Sequence, residues 1–459
     1  MSKRIALSSP EAWLSRKAEY CLLIILFRLL MDYMYRHVIA TVYAYAGFQY
    51  NPSIWLMLLS WLLLLVGTVM TYKAYKNPGN RVSLEVVFLL FLMSFVPFTS
   101  MVGSGAVGQK FIVCNSIYWL LFLILCVSLS KNSVLRPKTG KTGIGDLQLQ
   151  MLAMVFAFVV LYVSGRYAHF RLNFNLLNVY EFRAEASSNR LPLWLTYLFS
   201  WSRMINTILI AYFIRRKKKA WAIGCCFIQL LSFGYDGSKS TFFLLMIAVG
   251  VNLLPHFDMT TMNKWALRGL TGLAALLVVH YIVTGNFIPI SVLIRRVFYL
   301  PVQLSEHYVD FFTTHEPDYF RQSFLRYFGA KSPYEQQIPY MIGDVYYNKP
   351  TMGANNGLIG DAVANLGYIG LVVFPIFISL IFKLLNNNSA GLDARIFITV
   401  GFYLAMVMTN SFIFTILLTH GLIVTMIVLR NMKRDVSILG FNVSSYASMF
   451  EIRDDLKKV

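Results

Sequence analysis

The feature that most constrains this sequence is a series of apolar runs, each close to twenty residues long and nearly free of charge. A helix of about 20 residues crosses the ~30 Å of hydrocarbon in a bilayer. Lipid offers the backbone no hydrogen-bond partners, so such runs are expected to be helical. Only 14% of the 459 residues are charged, whereas a soluble domain carries roughly a quarter. The sequence therefore predicts an all-α polytopic membrane protein.

The positions of the apolar runs predict about twelve transmembrane helices. They are expected at residues 20–42, 53–72, 83–102, 111–130, 147–165, 192–214, 220–235, 241–255, 266–285, 366–385, 394–410 and 412–430. This layout divides the chain into a cytoplasmic N-terminal segment (1–19), helices one to nine (20–285), a large extracytoplasmic loop (286–365), helices ten to twelve (366–430) and a cytoplasmic tail (431–459). A shorter outer loop covers residues 166–190. The large loop, rich in Tyr and Phe, is expected to fold or to lie at the interface, because long structureless loops are uncommon.

The distribution of lysine and arginine predicts the orientation. Basic residues concentrate on cytoplasmic loops of membrane proteins, and the layout collects on one side the residues Lys73, Lys76, Arg81, Lys131, Arg136, Lys138, Lys141, Arg215, Arg216, Lys217, Lys218, Lys219, Arg430, Lys433 and Arg434. Both termini are then cytoplasmic. This topology accounts for the net charge of +20, so no nucleic-acid partner is expected.

The shorter outer loop contains four arginines that oppose this trend, namely Arg166, Arg171, Arg183 and Arg190. A guanidinium binds phosphate with two hydrogen bonds and stays charged at any relevant pH, so capture of an anion is one interpretation. The other is headgroup binding, or local pairing of Arg183 with Glu181 or Glu185.

A short turn at residues 234–240 offers a second anion site, because glycines let backbone N–H groups approach an anion and Lys239 adds a positive charge. The spacing of a nucleotide-binding P-loop is absent. A plain tight turn is the alternative.

The large loop begins with the pair Arg295 and Arg296. At roughly 100° per residue, Arg296 falls on one helical face with Gln303, His307 and Asp310. Pro301 is expected to kink that helix or to start a new one. This face could bind an anionic donor and deprotonate a hydroxyl; a solvated polar face is the alternative.

The loop closes with a glycine- and asparagine-rich stretch that descends into a helix. Asn355 or Asn356 is expected to cap that helix, whose N-terminus favours negative charge such as a lipid pyrophosphate. Asp361 follows about one turn later, where it needs an arginine or a substrate hydroxyl as partner. A purely structural helix start is the alternative.

The first predicted span carries Arg28, Asp32 and Arg36 at intervals of four residues. The simpler interpretation is a self-paired polar stripe that faces the bundle. Otherwise these residues line a cavity that receives lipid.

Taken in order, four segments resemble the O-antigen and capsule repeat-unit polymerases of the Wzy type. They are Val179 to Glu185, Asp236 to Ser240, Arg295 to Pro301 with His307-Tyr308, and Asn356 to Gly367. Relatives often have an aromatic residue after the Asp-Ala pair, where this chain has Val363. The resemblance implies a fold like that of C-class glycosyltransferases and a location in the bacterial inner membrane. It also implies transfer of a growing glycan from undecaprenyl pyrophosphate onto another lipid-linked repeat unit, and a chain-length regulator protein as a further partner.

Within that hypothesis, His307 is the predicted general base and Asp361 the second choice, because the acceptor hydroxyl must lose a proton. The predicted substrate-binding residues are Arg166, Arg171, Arg183, Lys239, Arg295, Arg296 and Asn356. No cofactor or metal is expected, because pyrophosphate leaves once its charge is neutralised. The first outer loop, residues 43–52, also lacks the carboxylates that metal-dependent polyprenyl-phosphate sugar transferases carry there.

Two other functions compete with polymerisation. A lipid-linked glycan ligase would share the fold, the donor and the arginine chemistry. A flippase or secondary transporter of lipid-linked sugars could also have about twelve helices, but usually as two similar halves with sites at the midplane. No repeated halves are evident in this chain.

Overall fold

A computed structural model describes residues 10–77, 79–128, 144–170, 191–236, 239–254, 257–432 and 434. The regular elements among them are helices, and these residues form no β-strand. The described helices include eight that are long and apolar enough to cross a membrane: Ile54–Lys76, Val82–Gly103, Gln109–Val127, Asp146–Ala168, Met259–Thr284, Ile288–Phe312, Ile359–Ser389 and Ile413–Asn431. The chain is therefore a helical, multi-pass membrane protein, as the apolar runs predict.

Seven of these eight helices overlap predicted spans, and the eighth, Ile288–Phe312, lies in the segment predicted to be the large outer loop. Its charged side chains interrupt the apolar run, so the pattern of apolar residues predicts no span there. Helices also form at other predicted spans: Pro10–Met34, Leu193–Arg215, Lys219–Asp236, Lys239–Leu253 and Ala394–Met408. The total of twelve spans stays a prediction.

The described residues form two compact units. The first draws on Met1–Asn132, Asp258–Lys383 and Leu404–Ile416. Its most buried helix is Val82–Gly103, which packs against Ile54–Lys76. The second unit draws on Ser133–Phe257, Leu384–Tyr403 and Leu417–Val459.

The first unit is tied together by a buried polar network. Arg28 Nε donates to Asp32 Oδ1 at 2.9 Å, and Arg28 Nη2 donates to the carbonyl of Thr99 at 3.0 Å. Ser100 Oγ donates to the same carboxylate and lies 2.9 Å from Tyr299 Oη. That phenol also donates to the carbonyl of Met31 at 2.9 Å. The predicted pairing of Arg28 with Asp32 is therefore confirmed, and it belongs to a network that joins three helices.

The helix Ile359–Ser389 is interrupted at Gly367, whose φ of 57° lies in the left-handed region. A break of this kind frees carbonyl groups of the preceding turn. Here the backbone N–H groups of Asp318 and Tyr319 donate to the carbonyls of Ala364 and Asn365 at 2.8 and 3.1 Å. The residues that precede the break thus anchor the segment that follows Phe312.

The fold of that segment is fixed by a buried side chain, Asp318, and a half-buried one, Gln322. Asp318 is 1% exposed and accepts hydrogen bonds from Ser332 Oγ at 2.6 Å and from the Gln322 N–H at 2.7 Å. Gln322 Oε1 accepts from the N–H of Ile338 at 2.9 Å, at the start of the helix Ile338–Tyr347. Residues 313–347 therefore have a defined structure, which positions Ile338–Tyr347.

The second unit has its own apolar core, formed by the helices Asp146–Ala168, Leu193–Arg215 and Lys219–Asp236. Asn206 Nδ2 donates to the carbonyl of Cys225 at 2.7 Å inside this bundle. At one end, Asp146 forms ion pairs with Arg216 and Lys218 at 3.5 and 2.8 Å. Part of the basic run at residues 215–219 is thus held by a carboxylate.

Candidate functional site

The helix Ile288–Phe312 changes its hydrogen-bond pattern along its length. Ser291–Tyr299 is π-helical, and Leu300–Phe312, with Pro301 as its second residue, is α-helical. A π-helix has hydrogen bonds from i to i+5, so it uses one more residue than an α-helix for the same turn. The π-helical segment therefore moves Arg295, rather than Arg296, toward the face that carries Gln303 and His307.

The surroundings of Arg295 agree with this register. Its guanidinium carbon lies 4.0 Å from the centre of the Tyr43 ring, and its positive charge acts on Tyr347. Its Nε is buried and has no hydrogen-bond partner within the part of the chain that the structure describes. A half-buried guanidinium with an unused donor is suited to binding an anion. Arg296 is exposed.

His307 lies against two tyrosines of the helix Ile338–Tyr347. Its ring stacks on Tyr346 with 4.2 Å between centres and 13° between planes, and it meets the edge of Tyr347 at 5.4 Å. Tyr346 Oη donates to Asp310 Oδ2 at 2.7 Å. Gln303 lies one turn before His307 on the same helix, and its Oε1 accepts from Tyr347 Oη at 3.4 Å. These contacts fix the imidazole between aromatic rings and beside a carboxylate.

Two further residues border this group. Glu306 Oε1 accepts from the backbone N–H of Gly108 at 2.6 Å. Lys110 Nζ lies 3.9 Å from Asp310 Oδ1 and donates to Thr313 Oγ1 at 3.2 Å. We refer to the residues that meet here as the His307 cluster: Arg295, Gln303, Glu306, His307, Asp310, Tyr346 and Tyr347.

Both tyrosines of the cluster are held in the neutral form. Burial raises the pKa of Tyr346, and the hydrogen bond to Asp310 and its charge raise it further. Burial also raises the pKa of Tyr347; the positive charge of Arg295 opposes the rise and the charge of Glu306 adds to it. Each neutral phenol can therefore donate its proton, Tyr346 to Asp310 and Tyr347 to Gln303. The other oxygen of Asp310, Oδ1, lies toward Lys110.

Asp361 has partners other than those expected from the sequence. Its Oδ2 accepts from the backbone N–H of Ile413 at 2.5 Å, and its Oδ1 accepts from Asn365 Nδ2 at 2.8 Å. The carboxyl is 2% exposed. Within the described residues, two N–H donors of the protein meet the carboxylate and no arginine does, so the expected arginine partner is wrong. The substrate hydroxyl as partner stays a prediction, and so does the catalytic role of Asp361.

Asn356 also differs from the expectation that it caps a helix. The helix begins at Ile359, and the side chain of Asn356, 2% exposed, turns to its neighbours instead. Its Oδ1 accepts from the N–H of Gly357 at 2.8 Å, and its Nδ2 donates to Ser305 Oγ at 3.1 Å. These bonds join the residues before the helix to the helix Leu300–Phe312.

The other predicted substrate-binding residues are not found in the His307 cluster. Arg171 and Arg183 fall outside the described residues, and so does the side chain of Lys239. Arg166 is exposed in the second unit, with its guanidinium carbon 5.7 Å from the ring centre of Tyr167. The predicted roles of these residues in substrate binding therefore stay predictions.

Sequence reasoning missed Tyr43, Tyr346 and Tyr347. The richness of the large loop in tyrosine was a signal, but nothing in the spacing shows which tyrosines meet a histidine about forty residues earlier. Among the described residues, no three His, Cys, Asp or Glu side chains are grouped so as to hold a metal ion.

In comparisons with known proteins, no family model, no curated protein and no solved structure matches this chain.

The contacts of Asp361 predict that the isosteric substitution Asp361→Asn lowers the stability of the protein. In Asp361→Asn, one side-chain atom becomes an NH₂ group, so the carboxamide can accept from Ile413 or from Asn365 but not from both. Loss of one charge-assisted hydrogen bond in a buried site costs about 2 kcal/mol. We expect a lower unfolding temperature for the purified protein in detergent. Asp344→Asn, on the helix Ile338–Tyr347, is the control and should leave it unchanged; equal stability of Asp361→Asn and wild type would contradict the assignment.

Proposed function

We propose that this chain is a membrane glycosyltransferase that polymerises undecaprenyl-pyrophosphate-linked oligosaccharide repeat units on the outer face of a bacterial inner membrane. The resemblance of four ordered segments to Wzy-type polymerases supports the proposal. So does the all-helical, multi-pass architecture.

The observation that carries the proposal is the composition of the His307 cluster. A half-buried arginine, an imidazole and a carboxylate share one helix, and two neutral tyrosines of a second helix contact the imidazole. Glycosyl transfer from a pyrophosphate needs a cation for the leaving group and a base for the acceptor. Arg295 supplies the cation and His307 supplies the base.

The proposed reaction is a single displacement of pyrophosphate. The acceptor hydroxyl oxygen forms a bond to the anomeric carbon of the donor glycan while the bond from that carbon to the pyrophosphate oxygen breaks. The hydroxyl proton passes to the free ring nitrogen of His307, and Asp310, one turn further along the helix, stabilises the imidazolium that forms. Undecaprenyl pyrophosphate leaves with the electron pair, and its negative charge is met by Arg295.

Stacking explains why this histidine is suited to the task. Tyr346 holds the imidazole plane and at the same time donates to Asp310, so the base and its carboxylate are positioned by one residue. Positioning of the base is worth several kcal/mol in reactions of this kind. The proposed base is therefore His307, and Asp361 is the second choice because its carboxylate already accepts two protein hydrogen bonds.

The proposed outer location of the His307 cluster yields a labelling prediction. If residues 286–365 are extracytoplasmic, cysteines at Asn286 and Glu335, both exposed, should both react with a membrane-impermeant thiol reagent after permeabilisation of the outer membrane. A cysteine at Lys219, in the predicted cytoplasmic run, should be protected. Reaction of only one of the two outer positions would show instead that the helix Ile288–Phe312 crosses the membrane.

Gel electrophoresis of the surface glycan tests both the proposed function and the proposed base, His307. Deleting the gene from its host should leave glycan of a single repeat, whereas loss of a ligase leaves bare lipid anchor and loss of a flippase strands repeat units inside. Wild type restores the ladder. His307→Ala should slow polymerisation about 100-fold, the usual worth of a general base, and reduce the product to the shortest bands at equal expression.

His315→Ala is the matched control for this variant. His315 also stacks on an aromatic ring, Phe311, with 4.0 Å between centres, but it is exposed and lies outside the His307 cluster. The control should give a full ladder. A normal ladder from His307→Ala would rule out His307 as the base, and bare lipid anchor after gene deletion would replace the polymerase with a ligase.

A further inference from the structure

A cavity of about 210 Å³ lies in the first unit, on the side of the polar network where Arg28 is found. It is smaller than the roughly 300–1,000 Å³ of sites for drug-sized ligands, so it suits one small headgroup rather than a glycan. Its lining includes Arg28, Asp32, Arg36, Tyr50, Ser60 and Trp61.

The lining carries more positive than negative charge. Arg28 is 1% exposed, and its Nη1 has no hydrogen-bond partner within the described ranges. The Asp32 carboxylate is shared between Arg28 and Ser100. Arg36 adds a second guanidinium, 5.6 Å from the ring centre of Tyr50, and no carboxylate of the described residues forms an ion pair with it. Two guanidinium groups around a small cavity favour an anion with several oxygens.

The backbone around the cavity is shaped to keep it open. Gly103 forms part of the wall, and a Cβ there would lie 2.7 Å from Ser60 Oγ and 2.9 Å from Arg28 Nη2. Arg36 lies in the π-helical turn Tyr35–Ile39, which continues the helix Pro10–Met34. Such π-turns occur often at functional sites because they redirect one or two side chains.

Residues around the cavity have the composition of a membrane interface. Ile54 and Trp55 are 70% and 78% exposed at the start of the helix Ile54–Lys76, and Leu29 and Met57 are about half exposed. Exposed apolar side chains of a membrane protein face acyl chains, and tryptophan is enriched at the headgroup level. The cavity, whose lining includes Met57, thus lies beside side chains suited to the headgroup level of a membrane.

We propose that this cavity binds the phosphate group of a phosphate ester through Arg28 and Arg36, with a membrane lipid as the main source. Asp32 acts as a positioning residue, because it holds the Arg28 guanidinium at one wall. The proposal does not depend on the proposed glycosyl transfer, since it rests on residues outside the His307 cluster.

Native mass spectrometry of the detergent-purified full chain tests the proposal. The probes are phosphatidylglycerol, diacylglycerol as its phosphate-free counterpart, and inorganic phosphate as competitor. We expect phosphatidylglycerol to bind at least tenfold more tightly than diacylglycerol, because a charge-assisted hydrogen bond is worth that factor or more. Displacement of the lipid by inorganic phosphate would identify the phosphate group alone as sufficient; no displacement would identify the lipid ester as the ligand.

Variants connect the binding to this cavity. Arg36→Gln leaves the buried network intact because Arg36 is exposed, and it should weaken phosphatidylglycerol binding about tenfold. Gly103→Ala narrows the cavity and should weaken it as well. Arg326→Gln is the matched control, since Arg326 is also exposed and its guanidinium carbon lies 4.8 Å from the ring centre of Tyr327.

Normal binding by the control together with weakened binding by both cavity variants would support the site. Equal binding by wild type, Arg36→Gln and Gly103→Ala would overturn the proposal, and so would an equal loss in Arg326→Gln, because binding would then follow surface charge in general.

Discussion

The buried network of Arg28, Asp32, Ser100 and Tyr299 is the interaction on which the arrangement of the first unit depends. Lipid chains are as apolar as leucine, so helices in a membrane are positioned by close packing and directed hydrogen bonds rather than by the hydrophobic effect. Here one carboxylate accepts from an arginine and a serine of two helices, and that serine meets a phenol of a third. Removing Asp32 would leave the buried Arg28 guanidinium without its carboxylate, which costs more than the loss of a surface pair.

This network also fixes which side of the helix Ile288–Phe312 packs against its neighbours and which side carries the His307 cluster. Tyr299 is fully buried and holds the helix to its neighbours. Arg295 and His307, on the same helix, meet Tyr43 and the helix Ile338–Tyr347 instead. The π-helical segment Ser291–Tyr299 allows both the packing of Tyr299 and the contacts of Arg295. Its extra residue shifts Arg295 relative to the α-helical part that follows. An uninterrupted α-helix would place Arg296 at that position.

The sequence allowed prediction of features that depend on local spacing. Runs of apolar residues predict the helices, and the interval of four residues predicts the ion pair of Arg28 with Asp32. Features that depend on tertiary contacts escaped prediction. No local rule shows that the Asp361 carboxylate accepts the N–H of Ile413, that His307 stacks on Tyr346, or that a π-helical turn precedes Pro301. Such contacts join residues dozens of positions apart, or need the hydrogen-bond pattern of the backbone itself.

Reconstitution of the purified chain tests the central claim most directly. The protein would be placed in liposomes with a synthetic undecaprenyl-pyrophosphate-linked repeat unit that carries a fluorescent sugar, and the products would be separated by length. The account predicts a ladder that grows by whole repeat units and releases one undecaprenyl pyrophosphate per added unit. The His307→Ala protein should form it about 100-fold more slowly. Passage of the labelled lipid across the bilayer without any longer product would contradict the account and would identify a transporter.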